Sequence, residues 1–336
     1  MWAIANRTPY AAERNWTRDK DGVHWWLVAV KATFQVAPGG RLTLAEEQPP
    51  PLLAPEYFGA PGQSSLRYDS DLLAAKPGTE VLVLAHAHAP GRRPAKTVPV
   101  VLRAGGLEKQ LVVHGERVYD LGPFGLTTTS PSPFTSRPIR YEVAFGGSDL
   151  EDEDPGRHRI DERNPIGRGF AQRTRRLIDQ PAHAVEYPAG EASKVGPAGF
   201  GPIDPAWLPR RALAGTYDED WVKTRKPLLP GDYDPAFALC APADQRLARP
   251  LTGGERFGLL NMTREGTLVF DLPRISLGFT SFFGRKRRPH PALLATVLVE
   301  PEEERLSLVW QSTLRVPAPE TDSLDATEVA EVRGGA

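Results

Sequence analysis

The chain has 336 residues, and its 41 Lys plus Arg nearly cancel 42 Asp plus Glu, so no overall field draws it to nucleic acid or anionic lipid. Hydrophobic residues make up 40% and charged residues 25%, which excludes general disorder, and no stretch approaches the roughly 18 apolar residues that span a bilayer. The single Cys240 excludes an intramolecular disulfide and a thiolate metal cluster. Residues 1–7 lack the charged flank and apolar run of a secretory signal, so a cytoplasmic location is expected.

With 34 Pro and 31 Gly, helix interiors are blocked often and turns are frequent, so short elements are expected throughout. Apolar runs of strand length occur at 25–36, 41–45, 80–88, 97–104, 109–119 and 139–145, each bounded by Gly, Pro or charged turns. They predict an N-terminal antiparallel β region over 1–147. The fold class expected is mostly β, an antiparallel β-sandwich or barrel-like scaffold with few short helices, rather than βαβ units.

Between 148 and 249 the pattern changes to Pro, Gly, charge and isolated aromatics. Phe170, Tyr187, Phe200, Trp207, Tyr217, Trp221, Tyr233 and Phe237 are too many for a solvated linker, so this long region is predicted to be irregular, ordered and packed on the sheets. Short helices are predicted at 205–212 and 218–225. Strand signals return in a C-terminal β region over 250–317, at 256–262, 267–271, 292–299 and 305–314, the last two joined as a hairpin across Glu302-Glu303-Glu304. Beyond Pro317 small and acidic residues predict a flexible tail over 318–336, frayed at 333–336. The three packed regions can form one globular unit.

Common catalytic signatures are missing: no Gly-x-Ser-x-Gly elbow, His-Glu-x-x-His, Walker loop or dinucleotide glycine fingerprint occurs. His86 and His88 alternate with alanines and would share one face of a strand, with His114 or Glu116 as the third ligand a metal would need. A wet strand face is the favoured reading. The acidic run 149–156 has its Gly in the wrong place for a calcium loop, and a solvated loop is expected there. Phe279, Phe282 and Phe283 adjoin Arg285, Lys286, Arg287 and Arg288 at a predicted hairpin tip, a combination that suits an acidic partner or a helix in a groove. A solubilising turn beside buried Phe residues fits the same pattern.

The segments Asn6-Arg7-Thr8-Pro9-Tyr10, Val30-Lys31-Ala32-Thr33-Phe34, Lys76-Pro77-Gly78-Thr79-Glu80, Val113-His114-Gly115-Glu116-Arg117 and Tyr141-Glu142-Val143-Ala144-Phe145-Gly146-Gly147 follow one another along the chain. They continue with Asn164-Pro165-Ile166-Gly167-Arg168-Gly169-Phe170, Gly199-Phe200-Gly201-Pro202, Gly215-Thr216-Tyr217-Asp218 through Trp221 and Arg225, Pro227-Leu228-Leu229-Pro230 and Asp232-Tyr233-Asp234. In this order they resemble an uncharacterised-domain family encoded beside VgrG spike proteins, PAAR-tip proteins and toxins of bacterial type VI secretion systems. The resemblance implies a cytoplasmic adaptor or chaperone, not an enzyme. It would bind a cognate toxin effector and help load it onto the VgrG/PAAR spike, using neither cofactor nor metal and binding neither nucleic acid nor membrane. No catalytic residues are implied, and Tyr217, Trp221 and Arg225 join the basic hairpin as partner-contact candidates, since aromatic and Arg side chains dominate interface hot spots. Two other readings stay open: a carbohydrate-active or metal-dependent enzyme, and a structural component secreted with the spike.

Overall fold

The computed structural model describes residues 2–332 except 248. It is mostly β, with 41% of residues in strands and 13% in helices, and its sheets are not closed into a barrel. The largest sheet has seven strands, in the order Arg246–Leu247, Thr79–Val83, Ala292–Glu300, Arg305–Arg315, His24–Val36 and Ala11–Arg18, with Leu42–Leu44 also paired to His24–Val36. All its pairs are antiparallel except Thr79–Val83 with Ala292–Glu300. His24–Val36 is buried on both faces, which is why it reads as a continuous apolar run. Trp26, Val28 and Val30 face the main core, whereas Leu27 and Ala29 pack with Leu72 and Val309 on the other side.

A five-stranded antiparallel sheet follows the order Val185–Glu186, Leu107–His114, Thr97–Ala104, Arg256–Leu260 and Thr267–Asp271. Here one face is wet, so apolar and polar residues alternate: Leu268 and Phe270 are buried, while Thr267, Val269 and Asp271 are exposed. A four-stranded sheet, Ala3–Asn6, Ala326–Glu331, Leu277–Phe283 and Lys286–His290, completes the scaffold. One apolar cluster takes Trp26 and Val30 from the first sheet, Leu102 and Phe257 from the second and Phe279 and Val329 from the third.

Several sequence expectations need correction. The run 80–88 is two strands, Thr79–Val83 and His86–His88, and the latter pairs with Ser136–Pro138 instead of the large sheet. The run 109–119 stops at His114, because Gly115 passes so close to Ser132 that a Cβ would lie 1.7 Å from its carbonyl oxygen. In place of a strand at 139–145 there is one turn of 3-10 helix, Tyr141–Val143, and the two-residue bridge Phe145–Gly146. The expected helix at 205–212 is a 3-10 segment at Arg210–Ala214, while Glu219–Thr224 is helical, its first turn capped by Asp218 accepting from the Trp221 amide at 2.9 Å. The supposed tail contains the strand Ala326–Glu331, in which Thr327 and Val329 point inward and Glu328 outward to Arg7. Acidity masked a period-2 pattern there, and residues 333–336 lie outside the described part.

The irregular middle is ordered by buried polar groups reaching its carbonyls. Phe200 and Trp207 enter the main core. Gln245 donates to Val81 O and Phe200 O, and Lys109 donates to Gly199 O, Asp244 and Gln245 at 2.7–2.9 Å. Burial pushes the Lys109 ammonium down to about 8, against the opposing pull of Asp244. Arg210 likewise holds Ile203 O, Phe237 O and Asp69. Backbone groups without a ladder partner thereby find one in a charged side chain.

Candidate functional site

The basic hairpin forms as a two-residue turn, Gly284-Arg285, with Gly284 at φ 58° in the first position, where a left-handed residue matches the strand twist. Alternation then decides the fate of its aromatics. Phe279 and Phe283 are core residues, 1% and 7% exposed, which removes them from any docking surface; Phe282 is half-buried with the Arg287 guanidinium 5.6 Å above its ring. Arg288 lies 4.5 Å over Phe283 and pairs with Glu320 at 2.5 Å. Arg285, Lys286 and Arg287 are exposed and make no ion pair among the described residues. Pro289 on this outer strand lacks an N–H, so the edge is poorly suited to accept an added strand, and contacts here would run through side chains.

Tyr217, Trp221 and Arg225 cluster at the short helix Glu219–Thr224. Tyr217 is exposed, its ring edge-on to Trp221 at 4.7 Å. The Trp221 indole donates to Leu228 O at 2.9 Å, and Arg225 donates to Leu229 O at 3.0 Å and to Lys20 O. The last two residues therefore fix a loop, leaving Tyr217 as the member of the trio free to meet a partner.

His86 and His88 do share one strand and converge on Glu302, whose Oε1 lies 3.6 Å from His86 Nδ1 and 2.6 Å from His88 Nε2. His114, proposed as the third ligand, points elsewhere, to Glu186 and Thr97. Among the described residues no group of three His, Cys, Asp or Glu side chains could hold a metal ion. The acidic run is less solvated than its composition suggests: Asp149 is buried, accepting from the Gln172 amide at 2.9 Å and from Arg176, and Asp154 caps a 3-10 turn.

Two features were not anticipated. The first is a finger: the hairpin Tyr119–Gly122 and Gly125–Thr128 forms a two-stranded ribbon that, among the described residues, is bridged by other chain only at its base, Tyr119 to Ile178. At its tip Phe124 is 102% exposed, and Leu121 (63%) and Leu126 (38%) face each other across the strands. The Gly-Pro-Phe-Gly turn at 122–125 was the available signal.

The base of the finger is held by a relay of side chains. Tyr119 meets His183 Nδ1 at 2.8 Å, His183 Nε2 and His114 Nε2 meet opposite oxygens of Glu186 at 2.8 and 2.6 Å, and His114 Nδ1 meets Thr97 at 3.1 Å. Burial pushes the Glu186 carboxyl up, but these imidazole hydrogen bonds and Arg117 outweigh it and hold the group well below the usual range. An ionised Glu186 can only accept, so both Nε2 atoms donate to it.

The second unanticipated feature is a trench around the turn Pro301–Glu303. Concavities of about 460, 550 and 70 Å³ meet at Glu302. His86 lines two of them, and so does Arg264.

Residues 21–311 match the model of DUF2169, a family described as an uncharacterized protein conserved in bacteria. No curated protein and no solved structure matches the chain.

Proposed function

We infer the function from the premise that the chain belongs to the bacterial DUF2169 family. We propose that it is a non-catalytic adaptor or chaperone of type VI secretion, which binds a cognate toxin effector in the cytoplasm and assists its loading onto the VgrG/PAAR spike. The ordered motifs from Asn6-Arg7-Thr8-Pro9-Tyr10 to Asp232-Tyr233-Asp234 suggest the pathway. The apolar finger carries the binding half of the reading. A Phe wholly exposed between two exposed leucines has no role in the core and gains free energy only when another surface covers it.

The test is co-expression with the neighbouring toxin. The wild-type chain should raise the toxin's solubility and co-purify with it. Replacing Phe124 and Leu121 by Ser should weaken that complex by about 2–4 kcal/mol, the range of a hot-spot aromatic with its neighbour. The melting temperature should not move, because both side chains are solvated in the free protein. A toxin that fails to bind the wild-type chain in either order of mixing would sink the adaptor reading.

A further inference from the structure

The smallest part of the trench is chemically the most pointed. Its lining includes Phe58, Arg67, Leu84, His86, Ile139 and Arg140 around about 70 Å³. Two buried polar atoms that find no hydrogen-bond partner, Arg67 Nε and His86 Nδ1, belong to residues of this one cavity. Arg140 makes neither a side-chain hydrogen bond nor an ion pair among the described residues; its guanidinium is stacked 3.8 Å from the centre of the Phe58 ring. Arg67 shares that ring at 5.6 Å, and its nearest carboxylate, the exposed Glu303, stands at 3.6 Å, beyond hydrogen-bond reach.

We propose that this cavity, between Arg67 and Arg140, is a binding site for a carboxylate. A guanidinium presents five N–H donors in a planar fork matched to a carboxylate, and here two such forks share the Phe58 ring, with Arg67 also 5.0 Å over Tyr68. The glutamates nearby do not fill the role. Glu300 is already engaged by Tyr68 at 2.6 Å and by Arg305 at 2.7 Å, and Glu302 by His88 at 2.6 Å. Leu84 and Ile139 keep the walls apolar, which strengthens a charge-assisted hydrogen bond inside. The ligand is either a small free acid or the acidic side chain of a bound polypeptide, since the cavity adjoins the larger concavities, sharing His86 and Glu302 with one and Glu302 with the other.

The experiment uses the full chain with 15N-labelled arginine and needs no toxin, so its failure is separable from failure of the adaptor reading. Acetate, acetyl-Gly-Glu-Gly-amide and acetyl-Gly-Gln-Gly-amide are titrated while the Arg67 Nε–H resonance, assigned by its loss in Arg67→Lys, is followed. Acetate or the glutamate peptide should shift it, and the glutamine peptide should not. Arg140→Gln, read on the Arg67 signal, and Arg67→Gln, read on the Arg140 Nε–H signal assigned by its loss in Arg140→Lys, should each weaken binding by about ten-fold or more, the worth of a hydrogen bond to a charged group. Arg140→Gln should melt within about 3 °C of the wild type, because that side chain makes no hydrogen bond within the chain and loses only its stacking on Phe58. Equal affinity for acetate and the glutamate peptide points to a free acid, and markedly tighter peptide binding points to a polypeptide. No shift with either carboxylate, an equal response to the glutamine peptide, or undiminished binding by both Gln variants would overturn the assignment.

Discussion

His290 shows how a single residue can make the scaffold sensitive to acid. Its Nε2 lies 3.0 Å from Ser281 and its Nδ1 2.7 Å from Ser312, both buried, and burial pushes its pKa from 6.5 down to about 4. The unfolded chain therefore takes up the proton first. Stability attributable to this group is complete above pH 6.5 and is lost as the pH falls towards 4, by up to about 3 kcal/mol. Urea unfolding at pH 7 and pH 4.5 should show a smaller difference between the two pH values in His290→Gln than in the wild type. An unchanged difference would mean that the imidazole is already charged in the folded protein.

Buried pairs such as Lys76 and Glu80, 2.6 Å apart, could not be read from sequence. Burial alone would push Lys76 down and Glu80 up, yet each holds the other charged, so Lys76 lies above its ordinary value and Glu80 below. Charged residues in a strand look solvated until their partner is placed. The same blindness hid Arg67 and Arg140, which are far apart in sequence and meet over the ring of Phe58 only once the chain is folded.

At the scale of elements, long strands were legible wherever burial imposed a clear period. His24–Val36, Thr97–Ala104, Thr267–Asp271 and Arg305–Arg315 all lie where apolar runs placed them. Failures came where a strand is cut by a close backbone approach, as at Gly115, or where the polar face supplies most of the composition, as at Ala326–Glu331. Candidate contact residues were half legible for the same reason: the hairpin was visible, but period 2 sends Phe279 and Phe283 inward. Gly115→Ala tests the cut directly. A methyl 1.7 Å from Ser132 O forces the backbone apart, so the variant should lose more than about 2 kcal/mol in urea unfolding. Loss below about 0.5 kcal/mol would show that the segment at Ser132 yields freely.

For the whole molecule, the four-stranded sheet joins distant parts of the chain. Ala3–Asn6 pairs in parallel with Ala326–Glu331, Arg7 bonds to Glu328 across 321 positions, and the Trp26 indole donates to Thr327 at 2.8 Å inside the core. Removing residues 326–332 would expose one side of Leu277–Phe283 and leave Trp26 without its acceptor. The truncated chain should be largely insoluble, or unfold at least 5 °C lower, about the effect of a 3–4 kcal/mol loss in a chain of 336 residues. Melting at the wild-type temperature would show that the strand is dispensable.

That pairing also bears on how the protein is made. A ribosome releases residues 3–6 long before their neighbour at 326–331 exists, so this sheet can close only after nearly all of the described polypeptide has been synthesised. Nascent protein must wait with an open seam beside Trp26, and a fluorescent reporter of that indole would register its closure as a late step, after the strand at 326–331 has emerged.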